Sequence, residues 1–251
     1  MLLFDSKVKC EFIKPETEGL LVVAPQTNLN TFDWIKENKP LLEDYLIKFG
    51  GILLRNFGIY SVSEFNKVVQ IICPNLLDYA YRSTPRTKLG GKIYTATEYP
   101  ADRTIPLHNK NSYSNLWPEK IFFFSVIVAF EGEETPIADS RKVYKRIDSS
   151  IREKFEQKGI LYIRNYTPGI DLSWQEVFQT DEKEIVNKYC QENNIEFEWR
   201  KNGSELTAKQ VCQASIMHPI SGVPVWFNQA HLFHVSALEE SDRTSLIKEI
   251  L

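Results

Sequence analysis

Cysteine is scarce in this sequence and poorly spaced for any shared task. Cys10, Cys73, Cys190 and Cys212 lie far apart and form no C-x-x-C pair. That spacing argues against a zinc finger or a disulfide framework and points to a reduced, cytoplasmic protein. Long hydrophobic runs are also missing. No stretch approaches the ~18 apolar residues that cross a bilayer, and the opening MLLFDSKVKC is too short for a secretory signal. There is no basic block either: 30 Lys and Arg stand against 33 Asp and Glu, a net charge of −3, with the cations scattered. A nucleic-acid partner therefore has no electrostatic footprint, and no membrane partner is expected. Internal repeats and low-complexity linkers are absent, so one domain over residues 1–251 is the expectation.

What is present suits a folded core. Hydrophobic residues make up 43% of the chain and aromatics 12%. The aromatic share fits a strand-rich interior, where Phe, Tyr and Trp pack across neighbouring strands. Residues 31–49 place their apolar side chains on one helical face, Gly50-Gly51 supplies the stop, and Pro40 is expected to kink or divide the helix. Gly51 to Phe57 reads as a strand. Ser61 to Glu64 forms a capping-box pattern for a helix ending near Cys73, just before Pro74. Ile121 to Phe130 is continuously apolar and predicts a strand covered on both faces.

Helical patterns follow from Asp139 to about Glu156, with a restart at Asp148-Ser149 and a stop at Gly159, and again from Thr180 to Asn193. Ile195, Phe197 and Trp199 alternate with Glu196 and Glu198, after which Asn202-Gly203 predicts a hairpin turn into Leu206–Cys212. A second pairing is expected around His218 to Gly222, leading into a strand over residues 223–228. Ser236 to Glu239 predicts a capped helix running to Leu251. Together these elements predict an α+β fold whose strands are mostly antiparallel.

The residues able to carry chemistry are few. His218 sits in a His-Pro turn and reads first as a turn residue. His231 and His234, three apart, suit an aromatic cluster better than a metal site. His108 lies in the polar segment Ile105-Pro-Leu-His-Asn-Lys-Asn-Ser-Tyr113, where a surface residue and a site residue are equally compatible with the local sequence. The region from Tyr79 to Asn115 is polar, rich in Tyr, Thr, Arg and Pro, and has one short strand pattern near Lys92 to Thr97. A long irregular stretch of that composition favours a substrate-facing loop.

Several segments resemble the taurine-dioxygenase-like (clavaminate-synthase-like) Fe(II)/2-oxoglutarate oxygenases, closest to their branch of biosynthetic β-hydroxylases. They are Gly50 to Phe57, Tyr81 to Arg86, Tyr94 to Pro100, Leu107 to Ser114, Glu134 to Arg141 and Val225 to Val235. The resemblance runs from about residue 20 to the end of the chain and keeps the family's order. It implies a double-stranded β-helix (jelly roll) with flanking helices, and Fe(II) and 2-oxoglutarate as cofactors. It implies His108 as an iron ligand, Thr135 as a contact to 2-oxoglutarate, and Tyr81, Arg82 and Asn109 beside the substrate. The substrate it implies is a small amino-acid-like molecule, free or tethered to a carrier protein, in secondary metabolism.

The sequence departs from the family pattern at three places. Lys110 stands where the iron-binding motif has a carboxylate, and a protonated ammonium has donors but no acceptor. Halogenases of the family also lack that carboxylate, but they carry a small residue there. Glu133 replaces a common Gly. The distal iron His and the Arg that pairs with 2-oxoglutarate are expected beyond Ser236–Leu251, so the chain is read as a partial jelly roll with its last strands missing. Two readings follow: an oxygenase hydroxylating an amino-acid-like substrate, or a degenerate or split homologue (a pseudoenzyme) that binds without turnover. An open sheet edge would also favour a homodimer or a complementing chain.

Overall fold

Asn30 starts the longest helix. Its side-chain oxygen accepts from the backbone N–H groups of Phe32 and Asp33, at 3.1 and 3.2 Å, which satisfies two donors that the first helical turn leaves unpaired. Gly50 ends the helix with φ +81, a left-handed conformation that suits glycine. The computed structural model describes residues 4–17, 19–96, 104–128, 130–132, 134–168, 172–238 and 243. Its backbone packing divides the chain into two compact units.

The first unit comprises Met1–Asp78, Arg86–Ala96 and Ile121–Glu134. Strands β1 (Val8–Phe12) and β2 (Leu21–Pro25) pair antiparallel, and β2 pairs in parallel with β3 (Ile52–Leu54). The crossover from β2 to β3 is the helix α1 (Thr31–Phe49), as a parallel pair requires. The helix is continuous through Pro40, so the proline does not divide it in two. Losing one hydrogen bond at an internal proline costs about 3 kcal/mol. Trp34 and Ile35 before it, and Leu42 and Tyr45 after it, are all buried, and each contributes about 1.5–3 kcal/mol. Packing on both sides of the proline wins.

Helix α2 (Val62–Ile72) follows, with the Ser61 hydroxyl accepting from the Glu64 N–H and Cys73 as its last cap. A short hairpin joins β4 (Lys88–Gly90) to β5 (Ile93–Tyr94).

One expectation for this unit fails. Residues 121–128 are irregular and largely exposed, not a covered strand. Phe122 and Phe124 are half-buried, with Phe124 stacked on Phe65 at 5.1 Å, while Ile121 and Phe123 point away. The local sequence has the composition of a strand, but no other described residue pairs with its backbone.

The second unit comprises Tyr79–Pro85, Thr97–Lys120 and Thr135–Leu251. The helical pattern from Asp139, with its expected restart at Asp148-Ser149, resolves into α3 (Ser140–Arg146) and α4 (Ser149–Lys158), capped by Asp139 and Asp148, and Gly159 stops the second. Strand β6 (Ile160–Tyr166), then α5 (Trp174–Phe178) and α6 (Lys183–Glu192), lead to the expected hairpin of β7 (Glu196–Arg200) and β8 (Glu205–Cys212). Lys201, Asn202 and Gly203 all take positive φ in its turn. The sheet order is β6-β8-β7, all antiparallel.

The second expected pairing is also present, as β9 (Ser215–Met217) against β10 (Pro224–Trp226). A short helix, α7 (Ala230–Phe233), follows. The helix expected from Ser236 lies mostly outside the described residues. The result is a mixed α/β architecture of several small sheets. Removing the Asn30 cap with Asn30→Ala should lower stability by about 1 kcal/mol, read as a shift of the urea midpoint with an unchanged slope.

Candidate functional site

In β6 the usual alternation is inverted. Leu161 and Ile163 face outward, while Tyr162, Arg164 and Tyr166 face the core. The guanidinium of Arg164 lies over the rings of Tyr81, Tyr166 and Tyr113, at 4.6, 5.0 and 5.4 Å from their centroids. Its Nη2 donates to the carbonyl of Arg82 at 2.5 Å. Electron-rich ring faces stabilise a cation that the interior would otherwise penalise, by about 2 kcal/mol or more once desolvated. Tyr113 Oη donates to the carbonyl of Tyr81 at 3.1 Å, and the Arg82 N–H donates to Val177 at 3.2 Å. Gln179 Nε2 donates to the Tyr79 carbonyl, and its Oε1 accepts from Arg82 Nη2, both at 2.6 Å. The segment from Tyr79 to Arg82 is thereby pinned from beneath, with Tyr81 held at φ +53.

A second segment, around the His108 turn, is held from four places in the same unit. Asn109 Nδ2 donates to Ser140 Oγ at 3.0 Å. The Asn109 carbonyl accepts from Gln229 Nε2, and the Ser112 carbonyl accepts from Gln213 Nε2 at 3.2 Å. His231 Nε2 lies 3.1 Å from the Leu107 carbonyl. Gln229 is itself fixed, because its N–H donates to the buried Tyr162 hydroxyl at 2.8 Å. Burial pushes that phenol up to about 12. Asp139 and Arg141 clasp through two charge-assisted hydrogen bonds of 2.9 Å at the start of α3. Partial burial would raise the Asp139 carboxyl, but the Arg141 hydrogen bonds and charge hold it below its ordinary value.

The two segments meet at Lys110 and Tyr79. Lys110 Nζ donates to Tyr79 Oη at 3.0 Å and sits 4.3 Å from the centre of that ring. Burial of Tyr79 would raise its phenol, but the Lys110 charge, with hydrogen bonds from Thr84, Lys110 and Ser83, brings it down to about 7.

The sequence-predicted residues fall in different settings. Tyr81 is in the aromatic core, among Tyr113, Phe178 and Tyr189. Arg82 and Asn109 are half-buried beside the Tyr79–Lys110 pair. His108 is exposed, with Nδ1 2.8 Å from the Pro106 carbonyl. Thr135 is exposed in the irregular stretch before α3. Glu133 and residues 97–103 lie outside the described residues. Sequence reasoning missed Arg164 and Gln179. It included Tyr79 and Gln229 only as part of a loop and a motif.

Fe(II), which the motif around His108 would call for, does not fit the residues found here. The position of the expected carboxylate carries an ammonium already engaged with Tyr79. Among the described residues, no three His, Cys, Asp or Glu side chains gather to hold a metal ion. Cys190 and Cys212 offer no substitute, since burial pushes both thiols up to about 12.

Two outcomes follow. In a spectrophotometric pH titration, one tyrosine should ionise near pH 7, because burial pushes Tyr81, Tyr113, Tyr162, Tyr166 and Tyr189 upward. Lys110→Met should abolish that early step. The depressed phenol adds stability that grows from pH 7 to pH 10 and is lost as pH falls through 7. Separately, Arg164→Met should cost about 3 kcal/mol in urea unfolding. Arg164→Lys should recover little of it, because an ammonium lacks the flat fork that spans rings and carbonyl together.

Comparison with known proteins places this arrangement. Residues 13–250 match the model of the taurine catabolism dioxygenase TauD, TfdA family. The chain is 40% identical over 241 residues to the dapdiamide synthesis protein DdaC of Enterobacter agglomerans, covering 95% of this chain and 73% of that protein. It is 30% identical over 234 residues to a clavaminate synthase-like protein of Arabidopsis thaliana, covering 90% of this chain and 71% of the relative. With most of its length matched, the chain belongs to the TauD/TfdA family of taurine-dioxygenase-like oxygenases.

Proposed function

We propose that this chain is a small-molecule-binding member of the family that does not assemble a working iron centre at His108. The family's chemistry uses Fe(II) and 2-oxoglutarate, and its oxygenases hold the ion with two histidines and a carboxylate that follows the first of them. One observation carries the reading: the side chain in that place is Lys110, its Nζ 3.0 Å from Tyr79 Oη. Two unit charges of the same sign repel where a carboxylate and a metal ion attract, by about 4 kcal/mol at 4 Å with an effective dielectric of 20. No step is derived through iron for this chain.

The binding role rests on the polar segments that Arg164, Gln179 and Gln229 hold in place. We assign Arg82, Asn109 and the Lys110–Tyr79 pair to the ligand side, with Tyr81 supporting them from the core. Thr135 is kept as the candidate contact for a dicarboxylate cosubstrate. The relative named for dapdiamide synthesis supports a place in biosynthesis, and the resemblance in the sequence suggests an amino-acid-like ligand, free or carrier-tethered. The chain is taken to act as one domain over residues 1–251, in the cytoplasm. No described helix is long and apolar enough to cross a membrane.

The test is an anaerobic titration with Fe(II) in the presence of 2-oxoglutarate. The expected result is no metal-to-ligand charge-transfer band and no succinate on admitting oxygen. A clear band with succinate release would establish the alternative, an oxygenase hydroxylating this substrate class. Lys110→Glu should raise Fe(II) affinity. If it leaves affinity unchanged, Lys110 is not the obstacle.

A further inference from the structure

Seven described residues other than glycine have positive φ: Asn56, Tyr81, Asn111, Gln179, Asn194, Lys201 and Asn202. Four of them are asparagine, which tolerates the left-handed region, and Lys201 lies in the β7–β8 turn. The other two, Tyr81 at φ +53 and Gln179 at φ +57, belong to one place. The Gln179 side chain bonds Tyr79 and Arg82, the residues that bracket Tyr81. Strained backbone concentrated in this way marks a position that function maintains.

Gln179 ends α5, its N–H donating to the Gln175 carbonyl. Glycine is the ordinary residue for a left-handed helix end, because a Cβ is disfavoured there. Packing does not select glutamine either, since Gln179 is exposed. Its amide accounts for it. The Tyr79 carbonyl can only accept and the Arg82 guanidinium can only donate, so one group serving both must offer an N–H and an oxygen. An amide does so, with both bonds at 2.6 Å, whereas a carboxylate or an ammonium cannot. The backbone below is anchored. Val177 is fully buried, and Phe178 packs against Tyr81, Tyr189 and Tyr166 at 5.5, 5.5 and 5.9 Å.

We propose that Gln179 is a positioning residue of the ligand side, its amide reaching from a strained turn to set where Tyr79 and Arg82 stand against Lys110. The Lys110 turn is held separately, by Ser140, Gln229, Gln213 and His231. The Tyr79 side is therefore the half of the contact that Gln179 controls. Without the amide, the Tyr79 carbonyl loses a donor fixed to the core. It keeps the 3.2 Å bond from Arg82 Nε, a group that moves with the same segment. The inference rests on the reading that places the Lys110–Tyr79 pair on the ligand side, but its test contains neither metal nor ligand.

Two substitutions separate positioning from strain. Gln179→Ala removes the amide and keeps the strained backbone, while Gln179→Gly removes both. Each should move the tyrosine ionisation step near pH 7 upward by about one pH unit or more, as Tyr79 leaves Lys110. Of the two, Gln179→Gly should have the higher urea midpoint. A side chain with a stabilising role alone would lower the midpoint and leave the ionisation step in place. The proposal is overturned if either variant keeps the wild-type step, if Gln179→Ala is at least as stable as Gln179→Gly, or if the wild type has no step near pH 7. A charge-transfer band in the Fe(II) titration would instead overturn the binding reading and leave the role of Gln179 standing.

Discussion

The buried guanidinium of Arg164 is the interaction on which the candidate site rests. A cation in an interior is normally a liability. Here the faces of Tyr81, Tyr113 and Tyr166 surround it, and the Arg82 carbonyl receives one of its N–H groups. Because the same carbonyl belongs to the segment that carries Tyr79 and Arg82, the charge that must be stabilised also fixes the backbone of that segment. Sheet β6-β8-β7 supplies the rigid base, and the tyrosines stay neutral because burial disfavours their ionised forms.

Above that base sits a second cation of opposite consequence. Lys110 belongs to a turn held by Ser140, Gln229, Gln213 and His231, so its backbone has little room to move away. Its ammonium bonds to Tyr79 and draws that phenol toward ionisation near neutral pH. A metal ion would have to compete with it and would bring further positive charge. The turn that the motif assigns to iron thus carries a cation of its own.

Much of this was legible in the sequence wherever a signal is local. Helix α1 begins and ends where Asn30 and Gly50 require. The caps Asp139, Asp148 and Gly159 mark α3 and α4, and Asn202-Gly203 turns the hairpin. Pro40 does not divide α1 because its local penalty is outweighed by burial on either side of it. Arg164 was invisible for a different reason. Its partners are 81, 82, 113 and 166, mostly some fifty to eighty residues away, and its strand shows Leu161 and Ile163 to solvent and an arginine to the core. The alternation was inverted, so pattern alone misplaces the faces. Ile121–Phe130 misled in a third way: strand composition states a capacity to pair, and only a neighbour turns that capacity into a strand. For the site, the motif located His108 and Lys110, but the link from Lys110 to Tyr79 spans 31 residues and required the fold.

The central claim is that Lys110, held against Tyr79, excludes a divalent ion from the His108 turn. It is tested most directly by titrating Mn(II) into the wild-type protein and following the electron paramagnetic resonance signal of the free ion. The account predicts that the free-ion signal is undiminished at one equivalent, with or without 2-oxoglutarate. Loss of that signal at one equivalent, reversed by His108→Ala, would contradict it.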